Sequence, residues 1–124
     1  MLEVTVEESA RDGDAWLVRW RLTNNGSSAL HVTSAWVPHG RFRGASGRVP
    51  LDLRLAPGEE TSLALRVFAS EPRGSVVENA FLILTTNAGR AFCRMRILFQ
   101  PDPLPVVEAV TVQPIESSAD AAEP

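Results

Sequence analysis

The chain contains no lysine, no tyrosine and only one cysteine, Cys93, in 124 residues. A single cysteine excludes an intrachain disulfide and suits a reducing compartment. The absence of lysine leaves arginine as the only strong base, and arginine pairs with carboxylates through a planar fork. No run of about 18 apolar residues occurs, so no segment reads as a membrane-spanning helix. The start, Met1-Leu2-Glu3-Val4-Thr5-Val6, has neither the basic head nor the apolar run of a signal peptide. Taken as a native start, it points to a cytoplasmic protein.

What remains is the composition of one globular domain. Apolar residues make up 44%, and a chain of this length buries enough surface to fold without metal or disulfide. Charge is split along the chain. Residues 1–100 carry all twelve arginines against ten acids, while residues 101–124 carry five acids and no base. A body so near neutrality argues against nucleic acid as a partner.

Alternation of period two dominates, and helical periodicity is missing. Leu2, Val4 and Val6 alternate with Glu3, Thr5 and Glu7. Trp16, Val18, Trp20 and Leu22 alternate with Leu17, Arg19, Arg21 and Thr23. Further strands are predicted over 30–37, 51–55, 62–67, 76–86 and 90–99, with a short one at Phe42. Turn chemistry separates them: Asp12-Gly13-Asp14, Asn24-Asn25-Gly26, Ala56-Pro57-Gly58-Glu59, Glu71-Pro72-Arg73-Gly74 and Asn87-Ala88-Gly89. About seven strands with such punctuation predict an all-β fold, an antiparallel two-sheet sandwich over residues 1–100. A Pro-rich extended segment over 101–114 follows, in which 106–112 either adds a strand or lies along the body. Residues 115–124 read as a disordered acidic tail.

Two stretches carry a family likeness. One is Val18-Arg19-Trp20-Arg21-Leu22-Thr23-Asn24-Asn25-Gly26-Ser27-Ser28-Ala29-Leu30, a strand, an Asn-Gly loop and a strand. The other is Leu55-Ala56-Pro57-Gly58-Glu59-Glu60 followed by Leu63, Leu65 and Val67. Together they resemble bacterial immunoglobulin-like and fibronectin-III-like modules, over roughly residues 2–99. The resemblance implies an immunoglobulin-like sandwich and no particular activity, since that architecture serves many roles. The paired cysteines and the tyrosine corner of antibody domains are missing here.

No residue set reads as catalytic or cofactor-binding. The only imidazoles are His31 and His39, and no Gly-x-Ser-x-Gly elbow is present. A polar cleft holding a histidine beside a carboxylate would be the mark of an enzyme. Two histidines, Cys93 and Met95 match the ligand types of a blue-copper site. Their order argues against one, because both histidines precede the cysteine. Cys93 also alternates with Met95 and Ile97 on an apolar strand face, as an inert core thiol does.

Two surfaces stand out instead. The 76–86 strand is apolar on both faces. If Phe81 and Ile83 face the core, Ala80, Leu82 and Leu84 face outward beside Trp36, with Arg94 and Arg96 on the neighbouring strand. Exposed leucines are costly, so something should cover them: segment 106–112, a second copy, or a partner protein. The second surface is the loop holding Arg41, Phe42, Arg43 and Arg48, which suits an anionic ligand or nucleic acid. The expected function is therefore a non-enzymatic protein-interaction or structural module, self-associating or binding a partner through the outer face of 30–37, 76–86 and 90–99. Binding of an anion through loop 41–48 is the alternative.

Overall fold

The computed structural model describes residues 2–38, 40–100 and 102–114, so His39 and the expected disordered tail, 115–124, lie outside the described residues. The alternating segments form nine strands: β1 (Leu2–Asp12), β2 (Ala15–Asn24), β3 (Leu30–Trp36), β4 (Phe42–Gly44), β5 (Val49–Leu55), β6 (Glu60–Ala69), β7 (Val76–Thr86), β8 (Gly89–Phe99) and β9 (Pro103–Gln113). They build two antiparallel sheets, ordered β1-β2-β6-β4 and β5-β3-β7-β8-β9. No helix long and apolar enough to cross a membrane occurs among the described residues.

The two sheets close on one core. Val18, Trp20 and Leu22 of β2 and Leu63, Leu65 and Val67 of β6 point inward from the four-stranded sheet. Val32, Ala35, Leu82, Leu84 and the run Ala91, Cys93, Met95, Ile97, Phe99 point inward from the five-stranded sheet. The regular polar-out alternation of β2 and β6 is what an antiparallel sheet with one wet face requires. Trp20 is fully buried, and its indole Nε1 has no hydrogen-bond partner among the described residues.

The two stretches that carry the family likeness meet in space. Pro57-Gly58 forms the tight turn between β5 and β6, closed by Glu59 N–H donating to the Ala56 carbonyl at 2.9 Å. Gly58 has φ 84°, the left-handed geometry that its position after proline demands. Asn24, buried at the end of β2, holds this turn to the β2–β3 loop. Its Nδ2 donates to the Leu55 and Ser28 carbonyls, each at 2.9 Å, and its carbonyl accepts from Gly58 N–H. A buried amide with its groups so satisfied fixes the spacing of β2, β3 and β5.

The strand set is larger than seven. Phe42 enters the core as the first residue of the short β4. Residues 103–113 form a full edge strand paired with β8 from Phe99↔Pro103 to Arg90↔Gln113. The segment extends the sheet in its own plane and does not lie over the outer face. Pro103 and Pro105 suit that position, because only an edge strand tolerates residues without an N–H. The opposite edge, β5, carries Pro50.

Candidate interaction face

The outer surface of the four-stranded sheet is a lattice of charge pairs. Arg21 bridges Glu7 at 2.6 Å and Glu60 at 3.0 Å. Arg19 reaches Glu8 at 3.5 Å, and Arg66 reaches Asp12 at 2.9 Å and Asp14 at 3.4 Å. Glu7 sits where the β1–β2 register shifts, which frees its carboxylate to meet both Ser62 and Arg21. The hydrogen bond from Ser62 and then that from Arg21 hold the Glu7 carboxyl below its usual range. This face is solvated and charge-paired, with five carboxylates to three arginines.

The outer surface of the five-stranded sheet differs. Directly opposed residues on antiparallel strands share a face, so the register lays out its rows. Trp36, Ile83, Phe92 and Thr111 form one. Phe81, Arg94 and Ala109 form the next. Arg96 lies beside Val106, and Val76, Leu98 and Leu104 make the last. Val76, Leu104 and Val106 are each more than 40% exposed, and the aromatic rings are half-buried. Arg48 packs over the Trp36 ring, 5.1 Å from its centroid. The face is thus apolar and interleaved with arginine.

The inward and outward sides of β7 are therefore the reverse of the sequence expectation. Ala80, Leu82 and Leu84 belong to the core, and Phe81 and Ile83 face out. The cause is the β7–β8 hairpin. Its loop is the two residues Asn87-Ala88, with Thr86 paired to Gly89, and this register sets Leu82 opposite Cys93 and Leu84 opposite Ala91. Trp36, Arg94 and Arg96 lie on the outer side as expected. Phe81 faces out against the expectation because either parity of β7 looks apolar, whereas Phe92 shares the outward parity of Arg94 and Arg96 on β8.

The loop arginines do not converge. Arg41 pairs with Glu71 at 3.3 Å. Arg43 lies over the Phe68 ring on the four-stranded sheet, 5.5 Å from its centroid, while Arg48 goes to Trp36 on the other sheet. Phe42 points into the core.

His31 Nε2 and Asp52 Oδ1 lie 2.7 Å apart, and Arg54 Nε approaches the same oxygen at 3.2 Å. The hydrogen bond with His31, then the charge of Arg54, keeps the Asp52 carboxyl below its ordinary value. This pair sits on the outer edge at β3 and β5, with Asp52 72% exposed. Among the described residues no group of three or more His, Cys, Asp or Glu is placed to hold a metal. Cys93 and Met95 point into the core, on the opposite side of the sheet from His31.

Burial pushes the Cys93 thiol pKa up to about 12. A thiol so protonated and enclosed presents no thiolate to reagents. Native protein at pH 8 is expected to leave Ellman's reagent uncoloured, with one thiol released on adding denaturant. Stoichiometric colour in native buffer would contradict the burial.

No protein-family model, curated protein or solved structure matches this chain.

Proposed function

We propose that this chain is a non-enzymatic, immunoglobulin-like module that binds another protein through the outer face of its five-stranded sheet. The strand order supports the architectural part. β1-β2-β6-β4 follows the A-B-E-D order, and β3-β7-β8 follows C-F-G, with β5 in the place of C′. Two departures are the position of β4 ahead of β5 in the chain and the addition of β9.

The observation that carries the functional part is the contrast between the two outer faces. One is charge-paired; the other presents Trp36, Phe81, Ile83 and Phe92 with an aliphatic row at its end. Four strands at about 4.8 Å spacing and nine residues at about 3.3 Å give a footprint on the order of 500 Å². Patches of that size on monomers are often functional, and it approaches the roughly 800 Å² that one partner contributes to a standard interface. The exposed setting of His31–Asp52 and the enclosure of Cys93 support the non-enzymatic part.

The test is charge insertion on this face. Ile83→Glu and Phe92→Glu are expected to cost about 1 kcal/mol or less in stability, as outward substitutions do. Each should abolish retention of whatever native-host protein the wild-type chain retains on a column. Equal retention by wild type and variants would remove the reading.

A further inference from the structure

We propose that the occupant of this face is an acidic polypeptide segment whose bulky apolar side chain seats in a recess at the β7 end, with carboxylates on Arg94 and Arg96. This rests on the interaction-face reading and adds the chemistry of the partner. Charge is the first argument. Arg90, Arg94 and Arg96 project from alternate or near-alternate positions of β8, and Arg48 stands at Trp36. Of these four arginines, only Arg94 has a carboxylate in ion-pair range among the described residues, Glu108 at 3.8 Å. The face is thus basic in a chain whose net charge is −3. Complementary charge steers partners and excludes wrong ones.

The recess is the second argument. It has a volume of about 390 Å³, and the face runs into it, because Val76 and Phe81 form part of its wall. Pro38, Gly40 and Phe42 close the other side, and Arg41, Glu78 and Asn79 make the rest of the wall polar. It exists because β3 pairs with β7 only from Ile83 to Thr86 before the chain departs toward β4. From Val76 to Leu82, the side of β7 away from β8 has no strand beside it among the described residues. An extended backbone is the ligand that pairs with such an edge, and a large apolar anchor in a pocket is what concentrates binding energy.

These features discriminate among occupants. A second copy facing the first would set arginines against arginines, which opposes docking. A single-stranded nucleic acid would use aromatic rings as stacking platforms. Here Trp36 is already covered by Arg48, Phe81 and Phe92 are half-buried, and the rest of the face, Ile83, Leu98, Leu104 and Val106, offers no ring.

The probe is a peptide of about twelve residues, long enough to lie along one strand, with Glu alternating with Val around one central Trp. Its counterparts are the same peptide with Lys for Glu, and an oligo-dT of equal length. The full chain is titrated with each, followed by NMR and by peptide fluorescence anisotropy. The Glu peptide is expected to shift the signals of Val76, Phe81 and Arg94. The Lys peptide should bind at least about tenfold more weakly, as should the Glu peptide to the Arg94→Glu/Arg96→Glu chain, and added salt should weaken binding several-fold. Phe81→Ser should lose the central Trp contact without unfolding the protein.

Equal affinity for the Glu and Lys peptides overturns the proposal. So does tighter binding of oligo-dT, or sedimentation showing a dimer that Phe92→Glu dissociates. A native partner lost on Ile83→Glu but unaffected by Arg94→Glu/Arg96→Glu would sink the acidic assignment while leaving the interaction face standing.

Discussion

Leu82→Asp will leave no folded protein, whereas Ile83→Asp, one residue on, will leave the fold intact. Leu82 is fully buried opposite Cys93, between the two sheets. An aspartate there removes about 1.5–3 kcal/mol of apolar burial and adds the larger cost of enclosing an unpaired carboxylate. Together they approach the 5–15 kcal/mol that hold an ordinary domain together, on the order of its whole stability. Ile83 points the other way, between Trp36 and Phe92, where solvent reaches the new carboxylate. Its cost should be about 1 kcal/mol. Far-UV circular dichroism and a thermal melt of each variant decide the matter. Two variants that melt alike, or Ile83→Asp as the worse of the pair, would mean that β7 is turned over.

Gly89→Ala is expected to be the most damaging of the conservative substitutions. Gly89 has φ 130°, which side chains rarely adopt, and opens β8 directly beside the end of β9. A Cβ there would collide with the carbonyl oxygen of Gln113 and stand 2.8 Å from the Gln113 carbonyl carbon and Pro114 Cα. All three are backbone atoms, so relief requires the end of β9 to move off β8. Strain of about 1–3 kcal/mol from the dihedral, added to the lost pairing, should total about 3 kcal/mol. The melting temperature should fall by roughly 10 °C. Amide exchange should accelerate at Val110–Gln113. Gly13→Ala serves as the control: its added Cβ meets nothing within 4 Å, so only the dihedral cost applies. If the two variants melt together and β9 exchange is unchanged, the close approach of Gly89 to Gln113 is not real.

Much of the fold was legible because most strands had one charged and one apolar face. In β2, Arg19 and Arg21 could only be outward, so Trp20 and Leu22 had to be inward. Pro57-Gly58 announced its turn through dihedral preference alone. β7 offered no such contrast, since both parities are apolar. The deciding fact was the loop length in Asn87-Ala88-Gly89. Read as a three-residue loop, it would have set Leu82 level with Arg94; with two residues, Leu82 meets Cys93. One residue inverts every side chain on the strand. One extra residue at Glu78-Asn79, two residues set against Arg96 alone, with Asn79 at φ 56°, then shifts the parity again, so Val77 also packs inward. The three loop arginines looked like a cluster because they are close in sequence. Neighbours in an irregular loop carry no period, and these three reach different sheets.

Both margins of the five-stranded sheet carry proline: Pro50 on one, Pro103 and Pro105 on the other. A ring nitrogen offers nothing to an incoming β-strand, so addition of a strand at β5 or β9 is hindered at those residues. The borders of the sheet are thus guarded by proline, while the unpaired side of β7 from Val76 to Leu82 stays open among the described residues.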